Sequence, residues 1–151
     1  PGAALYGVAP VAGQPNPMRS VIRLQGKVLQ TRSITAGTPV GYSHTWTAHR
    51  PSRIATVAIG YADGYLRSLS NRGFASCDGI PLPLIGNISM DTLIVDITDT
   101  PEGQIVEGGL LELADPLNGV DAIAARGGTI GYEILTSLGQ RYARRYLGGG
   151  E

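Results

Sequence analysis

Short strand-forming runs separated by turns that contain glycine and aspartate most constrain the fold of this chain. Residues 53–60 (RIATVAIG) form a nearly continuous apolar run rich in β-branched side chains, which is typical of a buried strand. Residues 18–34 alternate apolar and polar side chains, which predicts a half-buried antiparallel strand that is broken or bulged near Gly26. Its expected inward positions include Val21, Leu24, Val28 and Ile34.

Four shorter runs extend the strand pattern along the chain. Residues 74–76 and 80–85 flank the pair Asp78-Gly79, which predicts a β-hairpin. Residues 92–97 and 110–113 predict two further strands, joined by a turn-rich acidic connection.

Helical signals occur only near the C-terminus. Residues 118–125 predict a short helix that a following glycine pair ends, and residues 129–138 predict a second helix. The expected apolar face of the second helix is formed by Tyr132, Leu135 and Leu138. Residues 141–146 (RYARRY) fit either a further helical turn or a final strand. The whole pattern predicts a mainly β fold, a small β-barrel or meander with short helices near the C-terminus.

Composition excludes several classes of protein. The 151 residues are 42% hydrophobic with mean hydropathy +0.04, which suffices for one buried core in a single domain. No apolar run approaches the length of a membrane span, and no secretory leader is evident. The one cysteine, Cys77, excludes a disulfide framework. These features predict a cytoplasmic protein that does not act at a membrane.

The zero net charge conceals a segregated pattern. Residues 1–72 carry eight cations and one acid, whereas residues 73–121 carry nine acids and no cation. A nucleic-acid-binding module would show a basic excess with interleaved aromatic residues, and this chain shows neither. We therefore expect basic and acidic strands to lie side by side in one sheet, and no nucleic-acid partner.

Most isolated polar residues lack the context that catalysis or metal binding needs. His44 and His49 have no cysteine or glutamate at ligand spacing, so no metal site is predicted. Ser43 and Ser89 lack the Gly-x-Ser-x-Gly context of a nucleophile elbow. Lys27, the only lysine, falls on the polar face of a predicted strand and is interpreted as a solvated residue.

Three tyrosines stand in turns or at element ends, where a phenol is not needed to fill a core. These are Tyr42, Tyr61 and Tyr132, each directly preceded by glycine. They belong to an ordered set of motifs: residues 1–7 (PGAALYG), 41–42 (GY), 60–67 (GYADGYLR), 86–91 (GNISMD) and 129–138 (TIGYEILTSL).

In order and spacing this set resembles the C-terminal β domain of alanine racemases, which are fold-type III pyridoxal-phosphate enzymes. The resemblance implies an N-terminal α/β barrel that holds the cofactor, with residues 1–10 as its tail end and residues 11–151 as the β domain. It implies a head-to-tail homodimer that interconverts L- and D-alanine, supplying D-alanine for peptidoglycan precursors. The Schiff-base lysine and the arginine that faces the pyridine nitrogen match no position here, so the chain alone is expected to be inactive.

The resemblance also assigns roles residue by residue. Tyr42 matches the tyrosine that acts as a base in the partner subunit's site. Met90 matches the residue whose backbone N–H binds the substrate carboxylate, and Asp91 would support that loop. The cofactor phosphate would be held by Tyr132, Gly2 and Ala3. The substrate entrance would be lined by Tyr61, Arg67 and Ile130.

Asn87 departs from the family pattern, because the family commonly has arginine there, which changes the charge expected at the entrance. Two other functions remain open from the sequence. The tyrosines could serve a non-catalytic β-barrel interaction module, or the chain could belong to a related serine or broad-specificity racemase. A basic amino-acid decarboxylase is disfavoured, because the motifs follow the racemase pattern string by string.

Overall fold

The structure is a computed structural model that describes residues 2–11 and 13–148. Within them lie eight strands and two α-helices. In chain order these are β1 (Leu24–Ile34), β2 (Pro39–Val40), β3 (Trp46–Thr47), β4 (Ser52–Val57), β5 (Phe74–Cys77), β6 (Ile80–Pro83), β7 (Leu93–Asp96), β8 (Leu110–Ala114), α1 (Val120–Gly127) and α2 (Gly131–Ser137). The pair β2 and β3 was not predicted, because two-residue strands leave no periodic signal.

Six strands form one antiparallel sheet in the order β6-β5-β8-β1-β4-β7. Its two edges approach each other, since Leu84 bridges to Val95 and the Ile85 N–H donates to the Ile94 carbonyl at 2.9 Å. The sheet is therefore nearly closed, and the prediction of a small, mainly β barrel is confirmed. Its interior is filled by aliphatic side chains such as Val57, Leu82 and Leu113, which are almost fully buried.

Strand β1 has the predicted irregularity but is shorter than expected. Its register shifts between Leu24 and Gln25 and again between Val28 and Gln30, on either side of Gly26. Residues 18–23 are not part of the strand, and Val21 is exposed instead of inward-facing. The partner strand explains this difference, because β8 ends at the residue that pairs with Leu24, so the preceding residues have no strand to pair with.

The segregated basic and acidic residues lie on neighbouring segments and form ion pairs, as expected. Arg23 forms an ion pair with Glu112 of β8, and Arg50 forms one with Asp99 at 2.6 Å. Lys27 is exposed on β1, which agrees with its interpretation as a solvated strand residue. The Asp78-Gly79 hairpin is confirmed, with Cys77 paired to Ile80.

The two helices pack together at one end of the barrel. Helix α1 ends where predicted, with Gly128 in the left-handed conformation at φ 72°. The predicted apolar face of α2 is confirmed for Leu135 and Leu138, which pack against the core, but wrong for Tyr132, which is exposed. The described residues after α2 form neither helix nor strand, so neither interpretation of residues 141–146 holds. No helix in the described part of the chain is long and apolar enough to span a membrane.

Candidate active-site face

Tyr42 lies in a strained turn between β2 and β3. The backbones of Gly41, Ser43 and His44 all have positive φ, at 76°, 61° and 49°. Residues other than glycine rarely adopt this conformation. The Tyr42 side chain is 73% exposed, so core packing does not account for the turn. Strain of this kind concentrates at functional sites, which favours a role for the phenol that the turn presents.

A second loop, residues 86–91, lies against this turn. The Asn87 side-chain amide donates to the Tyr42 carbonyl at 2.8 Å. A Cβ on Gly41 would lie 3.0 Å from the backbone nitrogen of Asn87, so glycine permits the close approach of the two segments. Together with His44 and Ser89 they line an open cleft of about 320 Å³.

Met90 projects from the same loop and presents an unused donor. Its side chain is 54% exposed, and its N–H donates to no group in the part of the chain that the structure describes. Its carbonyl accepts from the Ala62 N–H at 2.9 Å, and the Ser89 carbonyl accepts from the Tyr61 N–H at 3.0 Å. The loop is therefore fixed by its carbonyls while an N–H remains available for a ligand.

The segment that binds this loop is a single 3₁₀ turn, Tyr61–Asp63. Asp63 closes the turn, since its carboxylate accepts from the Gly60 N–H at 2.8 Å. The Tyr61 side chain is 43% exposed beside the loop. Arg67 begins the next 3₁₀ turn, Arg67–Leu69, with its side chain in solvent.

Gly2, Ala3 and Tyr132 come together elsewhere on the molecule. The Tyr132 hydroxyl lies 3.9 Å from where a Cβ on Gly2 would sit. Gly2 and Ala3 open a 3₁₀ turn, Gly2–Tyr6, whose first N–H groups have no partner within the turn. A phenol near the start of a 3₁₀ turn could donate to a phosphate, which accepts several hydrogen bonds. Ile130 precedes α2 and is 65% exposed.

Asp91 lies beside Met90 and forms an ion pair. Its carboxylate accepts from the Arg141 guanidinium at 2.8 Å, and the same guanidinium lies 3.4 Å from Asp63. The hydrogen bond to Asp91, together with the charge of Asp63, raises the pKa of Arg141 above its usual value. Arg141 and Asp63 were not predicted as site residues, because no local spacing links an arginine near residue 140 to aspartates at 63 and 91.

Two other tyrosines show what a packing role looks like in this fold. Burial raises the pKa of Tyr65 and of Tyr142, and both side chains pack against the core. Burial also raises the pKa of Cys77, which lowers the reactivity of its thiol. Tyr42, Tyr61 and Tyr132 differ from these packed residues, because each is exposed to solvent.

The structure thus forms two clusters from the predicted site residues. One joins Tyr42 to the Met90 loop and the Tyr61 turn, and the other joins Tyr132 to Gly2. No hydrogen bond connects the two clusters within residues 2–11 and 13–148. Those residues also contain no group of three side chains suited to hold a metal ion.

Comparisons with known proteins agree on one family. The family model for the alanine racemase C-terminal domain matches residues 21–146. The chain is 52% identical over 147 residues to a protein of Agrobacterium fabrum named catabolic alanine racemase, covering 97% of this chain and 38% of that protein. It is 54% identical over 144 residues to alanine racemase of Acidiphilium cryptum, covering 95% of this chain and 40% of that protein.

Solved structures show the same relationship. The alanine racemase of Bartonella henselae, solved with covalently bound pyridoxal phosphate, superposes with a TM-score of 0.90 at 46% identity, over 97% of this chain and 41% of that one. The biosynthetic alanine racemase of Pseudomonas aeruginosa also gives 0.90, at 38% identity, over 98% of this chain and 42% of that one. The chain spans about two fifths of the length of the relatives it matches.

Proposed function

The chain belongs to the family of alanine racemase C-terminal domains, and we propose that it serves a longer enzyme that interconverts L- and D-alanine with pyridoxal phosphate. The observation that carries the proposal is that the exposed Tyr42 lies against the loop of Met90, whose N–H has no partner among the described residues. One group can move a proton, and the other can hold a carboxylate.

Racemisation requires a proton to leave one face of the α-carbon and another to arrive on the opposite face. Two acid–base groups on opposite sides of the substrate are therefore needed. In this proposal Tyr42 serves one face, removing the proton from L-alanine and returning it in the reverse direction. The opposite face belongs to the barrel's lysine, which this chain does not contain. The strained, exposed turn supports this role, because it holds the phenol away from the body of the domain.

The Met90 N–H would fix the substrate by donating to its carboxylate. A main-chain donor explains how an apolar residue can occupy this position, since the side chain is not required for the contact. Hydrogen bonds to a charged acceptor are stronger than those between neutral groups. Asp91 would support the loop through its ion pair with Arg141.

Gly2, Ala3 and Tyr132 would hold the phosphate of the cofactor within their own subunit. When bound, pyridoxal phosphate delocalises the negative charge left on the α-carbon after proton removal. The chain's own contribution would be position, and the proximity of the Tyr132 hydroxyl to Gly2, at the start of the first 3₁₀ turn, supports this role. The chemistry of these donors suits a phosphate anion.

Tyr61, Arg67 and Ile130 would line the substrate entrance, where a narrow polar mouth favours small amino acids. Asn87 gives this region a neutral amide in place of the arginine common in the family. Its amide is engaged with the Tyr42 carbonyl, so here the position acts as a brace for the Tyr42 turn.

The proposal includes an N-terminal barrel, of which residues 1–10 form the tail end, and a head-to-tail homodimer in the cytoplasm. Each β domain would complete the partner's barrel with Tyr42 and Met90. The chain alone should therefore form no D-alanine with added cofactor. D-alanine produced by the purified 151-residue protein would contradict this division of labour.

The test of function is Tyr42→Phe in the longer enzyme, with Tyr146→Phe as the matched control because Tyr146 is 87% exposed and has no assigned role. Loss of a general acid–base group should reduce racemisation by a factor of about 10² to 10⁴ while cofactor absorbance persists. The control should retain full activity. Undiminished rates in both directions for Tyr42→Phe would remove this residue from the reaction and favour the non-catalytic interaction module.

The test of the trans arrangement is subunit mixing. Tyr42→Phe subunits are mixed with subunits that carry Tyr42 but have alanine in place of the barrel's catalytic lysine. If Tyr42 serves the partner, half of the sites in each mixed dimer are intact, and about a quarter of wild-type activity returns in the mixture. If Tyr42 serves its own barrel, mixing restores nothing. A panel of alanine, serine and basic amino acids on the unmixed wild type then separates an alanine racemase from a broader one.

A further inference from the structure

Arg141 connects two loops that the proposed function uses for substrate. Its Nη2 donates to Asp91 at 2.8 Å, and its Nη1 lies 3.4 Å from Asp63. Asp91 directly follows Met90, whereas Asp63 ends the 3₁₀ turn that begins at Tyr61. One guanidinium therefore joins the Met90 loop to the Tyr61 turn.

Asp63 connects the guanidinium to the main chain of the Tyr61 turn, and that turn is bonded to the Met90 loop. The second oxygen of Asp63 accepts from the Gly60 N–H at 2.8 Å, so moving Asp63 would move the start of the turn. The Tyr61 N–H in turn donates to the Ser89 carbonyl at 3.0 Å, and the Ala62 N–H donates to the Met90 carbonyl at 2.9 Å.

These hydrogen bonds determine where the Met90 N–H points. The Ser89 carbonyl and the Met90 N–H belong to one planar trans peptide, so they point in opposite directions. Because the Tyr61 N–H holds the carbonyl, the Met90 N–H is directed away from the Tyr61 N–H. Any loss of contact between the two loops would free this peptide to rotate.

The guanidinium suits this place better than another cation would. Its two arms reach two carboxylates at once, whereas an ammonium is a compact point charge on a flexible stem. Without a cation, Asp63 and Asp91 would face each other as like charges and repel. The tail that carries Arg141 is itself anchored, since the Gly139 N–H donates to the Asp63 carbonyl at 3.3 Å.

We propose that Arg141 is a positioning residue that clamps the Tyr61 turn to the Met90 loop and so keeps the Met90 N–H aimed at the substrate carboxylate. The inference rests on the proposed role of Met90 in substrate binding. Arg141 acts only through Asp63, Asp91 and the peptides they hold. It does not touch the substrate.

The test compares Arg141→Met and Arg141→Lys in the longer enzyme, with Arg145→Met as the matched control because Arg145 forms no ion pair among the described residues. A misaligned carboxylate donor should raise KM for alanine about tenfold for Arg141→Met, with a smaller change in kcat. Arg141→Lys should recover part of the affinity through one carboxylate. Arg145→Met should leave both constants unchanged.

A second readout does not depend on activity. Amide hydrogen exchange at Tyr61 and Ala62, which donate to the Met90 loop, should accelerate in Arg141→Met while exchange at Val57 in the barrel stays slow. Adding Asp91→Asn to Arg141→Met should cause little further change in KM or in amide exchange, because both substitutions break the same contact.

The outcomes separate this inference from the proposed function. If Tyr42→Phe abolishes racemisation but Arg141→Met changes neither KM nor exchange, the clamp is wrong and the function stands. Faster exchange with an unchanged KM also contradicts the clamp's role in substrate binding. If Tyr42→Phe stays active, the proposed function fails, and unchanged exchange at Tyr61 and Ala62 would then overturn the clamp independently.

Discussion

The interior of the barrel and the active-site face differ in how far their apolar and aromatic residues are exposed to solvent. Val57 and Leu113 are completely buried, whereas Tyr42, Met90 and Tyr132 are each more than half exposed. Large apolar and aromatic side chains that cluster in solvent are typical of a surface that another surface covers. The barrel therefore accounts for the stability of the chain, and the face has the character of a surface that, in the proposed function, another domain covers.

The same contrast holds for polar groups. Asp115 lies inside, where its carboxylate accepts from the Ser76 hydroxyl and from the N–H groups of Leu117 and Asn118 at 2.7 Å each. On the face, the Met90 N–H has no partner within the described residues. The interior carboxylate is thus satisfied by groups of the chain itself, whereas the N–H to which the proposal assigns the substrate has no such partner among the described residues.

The largest effect on stability is expected where the face is joined to the helices. Gly64 and Gly108 both have left-handed backbones, at φ 91° and 84°. A Cβ on Gly64 would lie 1.8 Å from the Ser137 carbonyl oxygen, whereas one on Gly108 meets nothing within 4 Å. Gly108→Ala should cost about 1 kcal/mol of conformational strain. Gly64→Ala should cost about 3 kcal/mol or more, because the backbone must also shift. Equal losses of unfolding free energy for the two variants, measured by denaturant unfolding, would show that the close approach of Gly64 to Ser137 does not affect stability.

The next effect concerns the interior carboxylate. Burial alone would raise the pKa of Asp115, but hydrogen bonds from Ser76, Asn118 and Leu117 outweigh it and hold the pKa below its usual value. Ser76→Ala should lower the free energy of unfolding by about 2 kcal/mol at pH 7. The exposed Ser33→Ala serves as the control and should change little.

The pH dependence of that loss follows from the direction of the shift. A carboxylate with a depressed pKa stabilises the fold above its unfolded pKa, near ~3.9, and this stabilisation is lost as the pH falls through the folded pKa. The difference in unfolding free energy between wild type and Ser76→Ala should therefore be constant at pH values well above ~3.9, such as pH 5 to 8. It should shrink as the pH falls below ~3.9. A difference that grows in acid would contradict the assignment.

A smaller effect, of opposite sign, is expected at Tyr142. Its hydroxyl is buried and has no hydrogen-bond partner among the described residues. Because an unsatisfied buried hydroxyl is unfavourable, Tyr142→Phe should raise the free energy of unfolding by up to about 1 kcal/mol. Thermal unfolding beside the exposed Tyr146→Phe checks this, and destabilisation by Tyr142→Phe would reveal a partner for the hydroxyl.

The smallest effect on stability should come from Tyr42, the residue to which the proposed function assigns proton transfer. Tyr42→Ala removes a side chain that is 73% exposed, so the free energy of unfolding should change by less than about 0.5 kcal/mol. A loss of several kcal/mol would mean that Tyr42 supports the fold, and the contrast between interior and face would fail at its central residue.

Local sequence patterns were sufficient for the barrel, because strands and hairpins depend on neighbouring residues. The Asp78-Gly79 hairpin and the irregularity beside Gly26 were predicted from runs of a few residues. The start of β1 was not, since it depends on where β8 ends in space. The exposure of Tyr132 on α2 was missed for the same reason, because the packing of neighbouring elements decides which side of the helix is buried.

The site residues followed from motifs, and the contacts among them did not. The motifs pointed to Tyr42, Met90 and Tyr132, and the structure leaves each of these side chains exposed. The clamp by Arg141 joins residues that are 50 and 78 positions away in the chain, so no local pattern encodes it. The free Met90 N–H is equally invisible in sequence, because it depends on which carbonyls the neighbouring turn engages.

The most direct test of the central claim is hydrogen exchange at the α-carbon of each alanine enantiomer, measured in deuterated water with the longer Tyr42→Phe enzyme. If Tyr42 is the base for L-alanine, exchange from L-alanine should be lost while exchange from D-alanine, served by the opposite face, continues. Exchange from L-alanine at the wild-type rate would contradict the account.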